Sequence, residues 1–276
     1  MLRTPGLRFT HRRNDRGTEK PLQLYGCQST DIVITVVGIQ VKKGWVNRNR
    51  ILVVGGQPTY IIVPLKEQSS FVTIRDINID TNVQWRNKML KQLYFNYKKS
   101  KFFDDIYPLV EQLIRFETTR LTEINIMSIK KIAFPLEINT EIISDISRYD
   151  SFEEEFSTDS SCMNEHQVNG LYDNKHLRIF HICKNEQADT YINAIGGIEL
   201  YDNKAFEKEN IDLKFIHTLP YSYEQKSKEF YPNLSIIDVM MNCGKEGTQK
   251  LLKNYELISA GATEKNQYKA ITYYST

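Results

Sequence analysis

The stretch at residues 32–37, IVITVV, constrains the fold more than any other part of the chain. It is continuous and β-branched, which suits a strand covered on both faces, as in a parallel or mixed sheet. Extended to residue 41 it is the longest apolar stretch in the sequence. A membrane-spanning helix needs roughly 20 such residues, and Thr35, Gly38 and Gln40 interrupt this one. No membrane insertion is expected.

Downstream of this stretch, short strands alternate with helices. Residues 51–54, Gly55-Gly56 and 59–63 read as a β-hairpin, with glycines able to take the positive φ of a tight turn. Residues 71–79 read as another strand. Trp85, Met89, Leu93 and Tyr97 recur every four residues and make one apolar helical stripe. A second helix starts near Asp104-Asp105, with Pro108 in its first turn and Ile106, Leu109, Val110, Leu113 and Ile114 as its buried face. A third, at 121–133, is apolar on more than one side and is expected to be central. Later come a strand at 138–144, a helix from Asn174 through Cys183, and a strand at 190–192. Beyond these lie a short helix at 205–208, a strand at 213–217, and helices at 236–242 and 248–252. The pattern predicts an α/β or α+β fold, a mixed sheet flanked by helices in a single domain over 21–258.

Two segments stand apart. Residues 1–20 carry six Arg/Lys against Asp15 and Glu19, lack a signal peptide's apolar core, and read as a disordered basic arm. Residues 146–172 are acidic and poor in large apolar groups, and read as a disordered insertion or a lid. Residues 259–276 read as a polar tail.

Composition narrows the function classes. A net charge of +2 across 276 residues demands neither nucleic acid nor an anionic membrane. Cys27, Cys162, Cys183 and Cys243 are too scattered for a zinc ribbon or a disulfide scaffold, so a reducing cytoplasmic location is the simplest. His11, His166, His176, His181 and His217 show no metal-binding spacing. No cofactor is specified, and oligomeric state stays open.

The densest chemical patch is residues 42–50, KKGWVNRNR. Guanidinium forks match phosphate and carboxylate geometry, and Trp45 can stack on a sugar or base. In an extended segment Lys43, Trp45, Asn47 and Asn49 share one face, with Arg48 and Arg50 opposite. The alternative is a solvated basic strand end. Asn193 precedes Gly196-Gly197, where backbone can approach a phosphate closely; a plain turn is the alternative. Ser235 and Asp238 have the spacing of a capping box, with Leu234 and Val239 as its staple. Cys243, near that helix's C-terminus, is expected to have a raised thiol pKa and not to be a nucleophile.

Several strings together resemble the WbqC-like family: KKGWVNRNRIL at 42–52, IVPL at 62–65, FFDDIYPLVEQLI at 102–114 and ADTYINAIGGIELYD at 188–202, then Tyr223-x-Gln225 and NLSIIDVMMNCGKEGTQKLLKNYELI at 233–258. They run in order over roughly residues 40–258. The start departs from the family pattern, since Val36-Val37 stand where an acidic pair is usual, and Ala194 replaces a proline. The resemblance implies a transferase of bacterial surface-polysaccharide (O-antigen) or sugar biosynthesis. Such an enzyme would move an acyl or aminoacyl group, glycyl included, onto a nucleotide-linked amino sugar. In that reading Arg48 and Arg50 hold pyrophosphate or a donor carboxylate. Asn47, Asn49 and Asn193 orient hydroxyls, with Lys43, Trp45, Gly196, Gly197, Tyr223 and Gln225 also on the substrate. Asp145 or Asp238 is the general base. Trp45, Asn47, Arg48 and Asn193 are expected to converge on one cleft. The alternatives are a non-catalytic binding or partner protein of the same pathway, or a degenerate copy of the family.

Overall fold

The computed structural model describes residues 7–12, 31–35, 46–66, 76–82, 84–143 and 174–259. Acidic segment 146–172 and most of the basic arm lie outside them. The chain divides into two compact units, each assembled from separate stretches. Among the described residues they hold a mixed sheet, a hairpin and six α-helices, an α/β arrangement as the alternation of strand and helix signals implied.

The first unit, drawn from Met1–Leu7, Val36–Ile138 and Pro220–Lys253, is mainly helical in its described residues. Its hairpin pairs β3 (Arg48–Leu52) antiparallel with β4 (Pro58–Ile62), Arg48 opposite Ile62 and Ile51 opposite Thr59. Gly55 at φ 102° and Gly56 at φ 79° make the turn, where a side chain would be strained. Helix α1 (Trp85–Tyr97) buries Trp85, Met89, Leu93 and Tyr97, the stripe its four-residue spacing foretold, with Leu90 beside it. Helix α2 (Phe103–Arg115) buries Ile106, Val110, Leu113 and Ile114. Pro108 falls in its second turn and not, as expected, in the first, so an intrahelical bond to the Asp104 carbonyl is forgone. Helix α3 (Leu121–Ala133) buries residues on more than one side. Yet the helix with substantial packing against three others, α1, α3 and the C-terminal helix Ile236–Leu252, is α2. Helix α6 (Ile236–Leu252) covers both C-terminal helical segments, which meet at a kink at Gly244. Gly244, at φ 67° and ψ −171°, occupies backbone space open only to glycine. A Cβ there would lie 2.7 Å from the Phe102 ring.

The strand expected at 71–79 needs correction in its described part. Ile79 bridges Leu65 and Asn78 bridges Arg120, but no ladder extends. Apolar alternation there buries Ile77 and Ile79 without regular pairing.

The second unit, drawn from Arg8–Thr35, Asn139–Leu219 and Asn254–Thr276, holds a six-stranded sheet in the order β5-β2-β1-β6-β7-β8. These strands are β1 (Leu7–Arg12), β2 (Asp31–Thr35), β5 (Glu141–Ile143), β6 (Ala188–Ala194), β7 (Asp212–Thr218) and β8 (Tyr255–Ser259). β2 pairs parallel with β5 and β6 with β7, while β1 with β6 and β7 with β8 are antiparallel. The sheet is therefore mixed, as IVITVV suggested. Two expectations are corrected here. Leu7–Arg12 is a strand inside the sheet and not part of a disordered arm, because main-chain pairing with β6 satisfies its backbone groups whatever its charge. Ser259 likewise ends a ladder against Lys214 and does not begin a tail.

Helix α4 (Asn174–Asn185), helix α5 (Asn203–Lys208) and the sheet share one core. Ile179, Phe180 and Cys183 meet Tyr191, Phe206, Leu213 and Phe215 there. The rings of Tyr191 and Phe206 stack at 5.6 Å, and Phe180 meets Phe206 edge-on at 4.9 Å. Asp202 caps α5 by accepting from the Lys204 N–H. Asn210, at φ 56°, closes it, and the Ile211 N–H reaches back to the Phe206 carbonyl, as in a Schellman motif.

Candidate functional site

Of the residues that the sequence nominates for a site, Asn47, Arg48, Asn49, Arg50, Tyr223, Gln225 and Asp238 fall in the first unit. Asn193, Gly196 and Gly197 belong to the second. Lys43, Trp45 and Asp145 lie outside the described residues.

The first unit contains a cavity of about 140 Å³. Its wall is aliphatic and aromatic, with Trp85, Met89, Val110, Leu113 and Ile129 from the three helices. Its polar lining comes from Asn47, Arg48 and Asn49, from Asn125 and Ser128 of α3, and from Ser235 at the start of α6. The segment entering the hairpin is held on two sides. Asn47 donates its side-chain N–H to the Val63 carbonyl at 2.9 Å and accepts the Val63 N–H on its own carbonyl at 2.8 Å. Asn125 donates to the Val46 carbonyl at 3.1 Å. Arg48 is exposed, its guanidinium 4.9 Å from the Tyr60 ring centre on the paired strand. The two arginines therefore differ. Arg50 donates to the carbonyls of Pro232 and Asn233, and the Arg50 carbonyl accepts the Ser235 N–H at 2.7 Å, so this residue ties β3 to the entry of α6.

Asp238 is the deepest charged group described, with no exposed surface. Tyr97 donates to its Oδ2 at 2.5 Å and Tyr223 to its Oδ1 at 2.8 Å, while Asn242 adds a longer contact at 3.3 Å. The Tyr97 hydroxyl also accepts the Leu52 N–H at 3.2 Å, so one carboxylate links α6, α1, β3 and the segment before α6. The capping box is half realised. Ser235 caps by accepting from the Ile237 N–H at 3.3 Å, but its own N–H goes to Arg50. The Asp238 carboxylate is thus released from the cap and turned to the tyrosines. Gln225 both donates to the Tyr231 carbonyl and accepts the Tyr231 N–H, at 2.9 and 2.8 Å, closing a loop beneath Tyr223.

The electrostatics stem from this burial. Desolvation first, and the Asp238 charge second, push both Tyr97 and Tyr223 well above the ordinary phenol range. The same two causes raise the Cys243 thiol to about 11, the direction expected, though burial and not the helix terminus leads. Tyr97 was legible only as a member of an apolar stripe; a phenol at such a position needs a partner, and that requirement was the available signal. Trp85 is the other residue sequence reasoning left in the core. It is 5% exposed, and its indole N–H has no hydrogen-bond partner among the described residues.

In the second unit, Asn193 accepts the Ala194 N–H at 2.8 Å. Gly197 lies against the Asn193 amide, 2.9 Å from where a Cβ would stand, and Gly196 is exposed with open space beside it.

No helix of the described residues is long and apolar enough to cross a membrane. Among the same residues no cluster of three His, Cys, Asp or Glu side chains could hold a metal. No curated protein and no solved structure matches the chain. The family model described as the WbqC-like protein family matches residues 28–250, a span that takes in the cavity, the Asp238 network and the Gly-Gly turn of the second unit. By that match the chain belongs to the WbqC-like protein family.

Proposed function

We propose that the chain transfers an acyl group to the amine of a nucleotide-linked amino sugar in bacterial surface-polysaccharide biosynthesis. The observation that carries this reading is the cavity in which apolar walls meet the polar run Asn47, Arg48 and Asn49. A guanidinium beside a pocket suits a pyrophosphate or donor carboxylate, and carboxamides suit hydroxyls and a carbonyl under attack. The sugar amine forms a C–N bond at the donor's carbonyl carbon. The bond from that carbon to the donor heteroatom breaks, and the amine proton leaves with that heteroatom. Arg48 holds charge, Asn49 and Asn47 orient the acceptor, and Arg50 positions β3 against α6.

A binding protein without turnover is the second reading. It draws on Asp238, whose oxygens are engaged and which has no exposed surface. A general base must reach the proton it takes. Among the described residues Asp238 reaches outward through the half-buried side chains of Tyr223 and Asn242.

Incubating the chain with a nucleotide amino sugar and acyl thioester donors, with mass spectrometry of the sugar, separates the readings. A mass gain that Arg48→Ala lowers by about 100-fold supports transfer. Sugar-nucleotide binding that is tight and Arg48-dependent, with no mass gain from any donor, leaves the binding reading and removes the transferase.

A further inference from the structure

We infer that the cavity of the first unit is a subsite for a short uncharged acyl chain of about four to six heavy atoms, and that it selects against an aminoacyl group. The inference rests on the transferase reading for its biological sense and on three independent observations for its chemistry.

The first is size. Ligand pockets for whole small molecules run to about 300–1,000 Å³. The cavity holds about 140 Å³, near the roughly 150 Å³ at which an apolar protein cavity takes up benzene. A nucleotide sugar does not fit inside, whereas one small substituent of a substrate does.

The second is charge. Among the described residues that line the cavity, Arg48 is the one ionisable group, and none carries a carboxylate. Ser235, Ile236 and Ile237 add the first turn of helix α6, whose own carboxylate, Asp238, is turned to Tyr97 and Tyr223. A glycyl or other aminoacyl group would bring its ammonium against an apolar wall, with no carboxylate among the described lining residues to pair it. A methyl or methylene in the same place meets Leu113, Ile129, Met89 and Val110.

The third is an unpaired donor. The buried indole N–H of Trp85 has no acceptor among the described residues. A buried polar group left without a partner is costly and calls for an explanation. The carbonyl oxygen of an acyl group is an acceptor, and Trp85 lines the cavity that would hold it.

The test uses the full chain labelled with ¹⁵N. The sequence has two tryptophans, so the Trp85 indole N–H signal is assigned by comparison with Trp45→Phe. Acetamide, propionamide, butyramide and pentanamide are titrated, and then glycinamide at a pH where its amine is charged. Glycinamide is nearly isosteric with propionamide, so the pair isolates charge from size. The Trp85 signal should move saturably with the amides, and affinity should rise about fourfold with each buried methylene until the cavity is full. Glycinamide should bind at least tenfold more weakly than propionamide. Ile129→Phe, which fills the cavity, should abolish the response; if that variant does not fold, Ile129→Met should reduce it and shorten the longest amide accepted. Three results overturn the inference: glycinamide binding as tightly as propionamide, a Trp85 signal that no amide moves, or butyramide binding unchanged in a folded, cavity-filled variant. The transferase reading stands or falls separately. A chain that binds butyramide at Trp85 but acylates no sugar keeps the subsite and loses the transferase. One that transfers a glycyl group and ignores butyramide does the reverse.

Discussion

In the sheet unit Phe206, like Phe215, has no exposed surface, and it touches the rings of Tyr191, Phe180 and Tyr201. In the helical unit a comparable depth is taken by the carboxylate of Asp238, held by two phenols. The first arrangement derives its stability from apolar area and ring contacts, which need no directional partner. The second is stable only while every donor and acceptor is matched, because a buried charge that loses a partner keeps its desolvation cost. The helical unit also keeps a cavity, lined in part by Trp85, a feature that core packing alone would remove. Such costs are retained where a structure must do more than fold. The proposed transferase reading draws on the helical unit's polar interior, whereas the sheet unit's ring cluster is a packed one.

The sharpest way to break this contrast is to remove one central group from each side. Phe206→Ala should cost about 3–5 kcal/mol, the range for deleting a buried aromatic ring. In native-state hydrogen exchange the loss should appear first in the amides of β6 and β7. Asp238→Ala should cost less, about 2–3 kcal/mol, through the stranded hydroxyls of Tyr97 and Tyr223. Adding Tyr97→Phe to Asp238→Ala should recover part of that loss, since it removes one stranded donor. In urea unfolding, strict additivity of the two changes would mean that the Tyr97–Asp238 bond contributes nothing beyond shape.

Alkaline titration sharpens the contrast further. Tyr97 and Tyr223 are both raised in the folded chain, by burial first and by Asp238 second. A phenol of ordinary pKa, about 10, then loses its proton in the unfolded chain before the native one does. The contribution is fully present below about pH 10 and falls away as pH rises beyond it. Tyr97→Phe should flatten the decline in melting temperature above pH 10, whereas Phe206→Ala should lower the whole curve without changing its slope.

How much of this was legible in the sequence depended on the range of the interaction. The helix stripes, the Gly55-Gly56 turn, the mixed sheet around IVITVV and the Ser235 cap are local patterns, and each is in place. Leu7–Arg12 was misread because charge and low hydrophobicity argued for disorder, while the strand depends on a ladder with β6 some 180 residues away in sequence. Asp238 was half read for the same reason. Its spacing from Ser235 offered a complete local account, but the Ser235 N–H goes to the Arg50 carbonyl, and the partner Asp238 takes instead, Tyr97, lies 141 positions away. The difference between Arg48 and Arg50 was equally out of reach, since it turns on carbonyls at Pro232 and Asn233. Local rules place the basic run on a strand; only the tertiary fold decides which of its cations becomes a tether.

The smallest expected effect is a rate. Cys243 lies on α6 near the Asp238 network, partly exposed, with its thiol raised to about 11 by burial first and by the Asp238 charge second. At neutral pH its thiolate fraction is lower than that of a free cysteine, of pKa about 8.5, by roughly 300-fold. A thiolate of higher pKa is intrinsically more nucleophilic, with a Brønsted slope of about 0.4–0.5, which returns roughly a factor of ten. Alkylation of Cys243 by iodoacetamide in the folded chain should therefore run about 25-fold slower than that of free cysteine, read by peptide mass mapping. Cys183, with no exposed surface, should react more slowly still. Asp238→Asn removes the second cause and leaves the first, so it should speed labelling by only a fewfold. The same shift has a small stability consequence: it is present below about pH 8.5 and lost as pH rises towards 11, and partial exposure of the thiol screens it. Labelling of Cys243 at the rate of free cysteine would show that the Asp238 pocket admits more water than its burial implies. The contrast between two dry interiors, one polar and one aromatic, would then have to be redrawn.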